Sequence, residues 1–151
     1  MNETNLSLLL KPSSHSCNLE CVYCFYKRVK EVYSAPSPRM SRETASAVIR
    51  KACASGASRL SFCWQGGEPT LMGLDFYKHV LNEQNRHTSS YQLIENSLQT
   101  NGILLDRYAG PLAGAGLRRV NVSLDALSPE RYAAITRGGD VRVASISGVR
   151  L

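Results

Sequence analysis

The chain has 151 residues, 43% of them hydrophobic and 20% charged, which is the size and balance of a single globular domain with an ordinary core. Its net charge is +6 and its pI near 9.2, but the basic residues are scattered in short pairs such as Lys27-Arg28 and Arg118-Arg119 with no aromatic ladder, so no nucleic-acid partner is expected. Five cysteines, three of them inside eight residues, argue against a disulfide framework; with no apolar signal segment and only Leu6–Leu10 as an N-terminal apolar run, the sequence points to a reducing cytoplasm and no membrane partner.

In chain order, Asn5 to Leu10 reads as a first strand that closes at Lys11-Pro12, and a cysteine-bearing loop follows. Ser34 to Pro38 holds two prolines and breaks the chain ahead of a helix capped by Ser41, with Ala45, Val48, Ile49 and Ala52 at helical spacing and Gly56 beyond its end. Arg59 to Trp64 predicts a second strand, Leu74 to Arg86 a second helix and Tyr91 to Gln99 a third strand. Leu104 to Gly116 has helical period, with Pro111 predicting a kink or a late start. Val120 to Leu124 is a fourth strand, and Ser128-Pro129-Glu130 opens a further helix with a cap and a first-turn proline. No internal repeat interrupts this alternation, which specifies an α/β fold with a parallel sheet built from βα units. Ligands in such folds collect where strands end. The cysteines, Gly66 to Pro69, Thr100-Asn101-Gly102 and Ser123 to Asp125 each follow a strand.

Cys17, Cys21 and Cys24 place three thiols on one short loop. A closed zinc site or an all-cysteine cubane takes four protein ligands. Three ligands leave one corner open to an outside molecule. The competing reading is a zinc knuckle completed by His15 or Cys63. In Gly66-Gly67-Glu68-Pro69 the glycines permit close backbone approach with amide N–H groups as donors, and Glu68 adds a carboxylate acceptor, a set that suits the ammonium end of an amino acid. Ser123 and Asp125 offer a hydroxyl and a carboxylate to a ribose or amino-acid group, although Asp125 also reads as a helix-start residue before Ser128. Arg137 carries a planar fork suited to a carboxylate. Gln65, Gln99 and Asn101 face the same rim. Cys53 reads as a small core residue, Cys63 as a buried strand residue, and His79 and His87 as solvated.

The run from Cys17 to Cys24, with Tyr23 before the third cysteine, resembles the C-x3-C-x2-C signature of the radical S-adenosylmethionine (SAM) superfamily. The runs Ser7–Pro12, Cys24-Phe25-Tyr26, Phe62–Leu74 and Asn96–Gly102 resemble anaerobic sulfatase-maturating enzymes, whereas Leu117 to Asp140 is more similar to the GTP cyclase that begins molybdenum-cofactor synthesis. The resemblance implies a partial (β/α) barrel, here ending after about four βα units, as one radical SAM core domain over residues 1–151 without the family's auxiliary-cluster domain. It implies a [4Fe-4S] cluster on Cys17, Cys21 and Cys24, and SAM held by Tyr23, Gln65, Gly66, Gly67, Glu68, Ser123, Asp125 and Arg137. It further implies reductive cleavage of SAM to a 5′-deoxyadenosyl radical, oxidation of a cysteine or serine of a sulfatase-like protein or peptide to formylglycine, and a reductant such as flavodoxin or ferredoxin. The general base for the substrate would lie beyond the matched segments. A non-catalytic iron–sulfur fragment and a radical SAM nucleotide cyclase are the alternative readings.

Overall fold

The computed structural model describes residues 4–26, 28, 32 and 39–140, which include four strands and, from Arg42 onward, four α-helices. Strands β1 (Asn5–Leu10), β2 (Arg59–Trp64), β3 (Leu93–Thr100) and β4 (Arg119–Val122) form one parallel sheet in the order β1-β2-β3-β4. Helices α1 (Arg42–Cys53), α2 (Leu74–His87) and α3 (Leu105–Ala115) connect them, and α4 (Pro129–Thr136) follows β4. Two predicted caps are in place: Ser41 accepts from the Thr44 N–H and Ser128 from the Arg131 N–H. The segment from Ser34 to Pro38 lies outside the described residues.

Strand residues alternate between two faces. Leu60, Phe62 and Trp64 of β2 and Leu98 of β3 point to the helices and are at most 1% exposed, packed with Ile49, Phe76, Tyr77, Val80 and Leu112. The Trp64 ring meets Phe76 and Tyr77 edge-on at 6.2 and 6.0 Å. Its indole N–H donates to Asn96 Oδ1 at 2.9 Å, and Asn96 and Gln84 exchange two further bonds, so the polar atoms in this core are satisfied. The opposite face carries Ser7, Leu9, Ser61, Cys63, Glu95, Ser97, Gln99 and Asn121, a mostly polar surface ending at the rim where the loops lie. Cys63 is therefore half-buried on this face and not in the core, because it sits out of phase with Phe62 and Trp64.

Three boundaries differ from the sequence expectation. Strand β3 starts at Leu93 because Gln92 is spent on a turn: its side chain accepts from the Ser89 N–H and donates to the Cys53 and Ala57 carbonyls. Strand β4 ends at Val122, opposite Thr100, where its partner strand ends; the Ser123 N–H to Thr100 carbonyl bond at 2.8 Å is the last rung. Helix α3 begins at Leu105 and runs through Pro111, losing one N–H donor but keeping Leu105 and Leu112 buried on its inner face. His79 is also not solvated: its Nε2 lies 2.9 Å from Ser46 Oγ, joining α2 to α1. No helix among the described residues is long and apolar enough to cross a membrane.

Candidate metal and cofactor centre

The cysteine loop leaves β1 through two tight turns, Ser14 N–H to Lys11 O and Ser16 N–H to Ser13 O, both 3.0 Å, with Ser14 in the left-handed region at φ 53°. Two unrelated segments then grip it by main-chain hydrogen bonds. On one side the N–H groups of Gly67 and Glu68 donate to the carbonyls of Ser14 and Ser16 at 2.8 and 2.7 Å. On the other, the Glu20 and Val22 N–H groups donate to the Thr136 and Ile135 carbonyls at the end of α4, at 3.3 and 2.9 Å. The glycine pair makes the first grip possible. A Cβ on Gly67 would overlap the Ser16 carbonyl, and one on Gly66, itself at φ 118°, would come within 2.9 Å of the Ser14 carbonyl. The close backbone approach expected from these glycines is thus made to the cysteine loop, and the Gly67 and Glu68 amides are already bonded there.

None of the five cysteines is in a disulfide; Cys17 is exposed, and Cys21 and Cys24 are half-buried. Cys17 Sγ accepts from the Leu19 N–H at 3.4 Å and from Asn101 Nδ2 at 3.7 Å, while the same Asn101 amide donates to Asn18 Oδ1 at 2.8 Å. Desolvation by the surrounding loops pushes the Cys17 thiol up, with Glu68 and Cys21 adding to the rise and the Leu19 and Asn101 donors opposing it. Among the described residues no three His, Cys, Asp or Glu side chains converge as ligands of a single ion. The thiols of an iron–sulfur cluster bind separate irons and need no such convergence. Three soft donors on one loop, none of them in a disulfide and the loop fixed by main-chain bonds from both flanks, fit that kind of group.

Glu68 is wholly buried. Its Oε1 accepts from the Thr70 N–H, Thr70 Oγ1 and Thr100 Oγ1 at 2.9, 2.6 and 2.8 Å, and its Oε2 from the Asn101 N–H at 2.8 Å. A charge at this depth is tolerated because four donors surround it. The carboxylate pins the loop after β2 to the loop after β3, and Asn101 carries the connection on to Cys17.

At the end of β4, Ser123 Oγ accepts from Gln99 Nε2 at 2.7 Å. Asp125 accepts from Tyr23 Oη at 2.8 Å on both carboxylate oxygens. Arg137 is exposed and closes α4 in the left-handed conformation at φ 56°, next to the carbonyls that hold the cysteine loop. Gln65 is half-buried, and its N–H donates to the Leu10 carbonyl at 2.8 Å, where β1 and β2 end together.

A family model described as the radical SAM superfamily matches residues 12–146. The chain belongs to the radical SAM superfamily. It is 37% identical over 121 residues to a cysteine-type anaerobic sulfatase-maturating enzyme of Clostridium perfringens, covering 80% of this chain and 33% of that protein. It is 35% identical over 154 residues to a serine-type anaerobic sulfatase-maturating enzyme of Klebsiella pneumoniae, covering 95% and 37%, and 38% identical over 125 residues to a probable GTP 3′,8-cyclase of Methanococcus maripaludis, covering 83% and 38%. A solved structure described as native anSMEcpe with bound AdoMet and the Cp18Cys peptide superposes with a TM-score of 0.76 at 33% identity, over 91% of this chain and 37% of that one. The chain thus spans between 33% and 38% of the length of these proteins. The parallel four-strand sheet is the part of the radical SAM fold seen here.

In this radical SAM chain the structure brings Tyr23, Asp125, Glu68, Asn101 and the cysteine loop together at one rim. Arg137 follows directly on the Ile135 and Thr136 carbonyls that hold the loop, its own N–H donating back to the Ala133 carbonyl. Sequence reasoning missed Thr70 and Thr100 as the partners of Glu68, and the Ile135 and Thr136 carbonyls as the second grip on the loop. Thr100 stood in a recognised strand-end motif, whereas main-chain carbonyls leave no sequence signal.

Proposed function

We propose that residues 1–151 form a radical SAM core domain that holds a [4Fe-4S] cluster on Cys17, Cys21 and Cys24, binds SAM at the open iron, and serves the oxidation of a cysteine or serine side chain in a sulfatase-like peptide. The observation that carries this reading is the two-sided main-chain grip on a loop bearing three cysteines outside any disulfide. When bound, the cluster and SAM supply a hydrogen-abstracting radical. The chain's own residues then have distinct tasks. The three thiols ligate; Gly66 and Gly67 let the loop seat against the β2 turn; Glu68 and Asn101 hold that turn in register with Cys17. Tyr23 and Asp125 act as one hydrogen-bonded unit beside the loop, and Gln65, Ser123 and Arg137 line the same rim for the ribose and carboxylate of SAM.

The peptide substrate rests on the cysteine-type and serine-type maturases among the relatives, and an electron donor such as flavodoxin or ferredoxin in the cytoplasm would reduce the cluster. The 38% identity to a probable GTP 3′,8-cyclase keeps a nucleotide as the second reading. Anaerobic reconstitution with iron and sulfide tests the core of the proposal: about one cubane per chain, lost in Cys21→Ala and kept in Cys53→Ala. Eight or more irons per chain, or none, would sink it. Release of 5′-deoxyadenosine from SAM under dithionite, followed by mass spectrometry of a Cys-x-Pro-x-Arg peptide and of GTP incubated separately, decides between the two substrates.

A further inference from the structure

Asn101 follows β3 directly, and its side-chain amide is held in one orientation. Its Oδ1 accepts from the Ile103 N–H at 3.0 Å, and its Nδ2 donates to Asn18 Oδ1 at 2.8 Å. Turning the amide over would set NH2 against N–H and oxygen against oxygen, so the two contacts fix it. The main chain is fixed as well, since the Asn101 N–H donates to the buried Glu68 carboxylate at 2.8 Å. An NH2 group carries two hydrogens. One goes to Asn18, and the other is left for the Cys17 sulfur, 3.7 Å from Nδ2. The Leu19 N–H reaches the same sulfur at 3.4 Å.

Two N–H donors on one sulfur suit a thiolate better than a thiol. A neutral thiol is a weak acceptor, and here it also donates weakly to Asn18 Oδ1 at 3.8 Å. Once the proton is gone and the sulfur carries charge, both N–H bonds become charge-assisted. Asn101 is already in place for that, held by Asn18, Ile103 and Glu68. The Leu19 donor belongs to the main chain, whereas the Asn101 donor is a side chain that the sequence chooses. We propose that Asn101 is a positioning residue acting through Cys17: its amide keeps its hydrogen bond to the Cys17 sulfur when that sulfur ligates the cluster, and thereby raises the cluster's reduction potential. Reduction adds negative charge to the cluster, and a donor aimed at a ligand sulfur favours the more negative state. This role rests on the cluster assignment made above.

The test compares wild type with Asn101→Leu after anaerobic reconstitution, leucine having a similar size and neither a donor nor a charge. It reads the final iron content and the midpoint potential from an EPR-monitored redox titration. Equal iron and a more negative potential in the Leu variant are expected. Equal iron with an unchanged or more positive potential overturns the role of Asn101 and leaves the cluster assignment standing; no iron in wild type overturns the cluster assignment itself. Where the Leu variant does not assemble, Asn101→Ala, whose smaller side chain crowds nothing, decides the matter on the same two readings. Loss of iron from both variants also overturns the proposal, because the amide would then be a condition for assembly and not a setting of the potential.

Discussion

Tyr23 Oη lies 2.8 Å from both carboxylate oxygens of Asp125, a residue 102 positions later in the chain. This bond joins the cysteine loop to the loop after β4 by side chains, while the bonds from Glu20 and Val22 to the end of α4 join them by main chain. Asp125 therefore orients an aromatic beside the third cysteine, and the expectation that it merely starts a helix does not describe its contacts.

Tyr23→Phe tests that bond through alkaline stability. Desolvation and the Asp125 carboxylate displace the Tyr23 phenol well above the usual tyrosine range. The folded state then keeps its proton while the unfolded chain, with an ordinary pKa of about 10, loses it. Stability from this group is complete below about pH 10 and declines as pH rises beyond it. Urea unfolding at about pH 8 and pH 11 is expected to show a smaller loss in Tyr23→Phe than in wild type. Equal losses would mean that the phenol titrates freely.

Glu68→Gln replaces an acceptor oxygen by an NH2 group facing donors in a wholly buried site. Donor against donor leaves at least two groups unsatisfied, so a loss on the order of 3 kcal/mol is expected. Thr100→Val removes one donor of the four and is expected to cost about 1–2 kcal/mol. Urea unfolding of the cluster-free chain measures both, and a Gln variant as stable as wild type would show the network to be dispensable.

Asn101→Ala removes the side chain that reaches Cys17 Sγ and Asn18 while leaving the main-chain bond to Glu68. The fold is expected to survive, with unfolding midpoints close to wild type. Iron uptake on reconstitution is expected to slow several-fold, because the first cysteine loses the contact that orders it. Unchanged uptake would place Cys17's order entirely in the loop backbone.

Local chemistry made much of this legible in the sequence. Ser41 and Ser128 cap helices through neighbours three residues on, and Arg59–Trp64 alternates with its own burial, so both follow from a few adjacent residues. The ends of β3 and β4 depended on partners elsewhere in the sheet, and Glu68 depended on Thr100 and Asn101 more than thirty residues away. A carboxylate in a glycine turn looks the same in sequence whether it waits for a ligand or is already enclosed.

Two glycine substitutions of opposite sign give the sharpest test of the grip on the cysteine loop. Gly67→Ala forces a Cβ into the backbone at Ser16, where the turn cannot shift without breaking the Gly67–Ser14 and Glu68–Ser16 bonds. Losing both is expected to cost about 2–3 kcal/mol and to abolish iron uptake together with SAM binding, since the loop would no longer be held from the β2 side. Gly114→Ala, on the exposed face of α3, meets nothing within 4 Å and replaces a poor helix former by the best one. It is expected to stabilise the chain by about 0.8–1 kcal/mol without touching iron or SAM. Thermal unfolding, iron analysis and SAM titration by calorimetry on the two variants separate the outcomes. A Gly67→Ala protein that unfolds like wild type and still assembles its iron would mean that the glycine turn does not seat the cysteine loop; one that assembles iron but loses SAM would instead restore the turn's direct contact with the ligand.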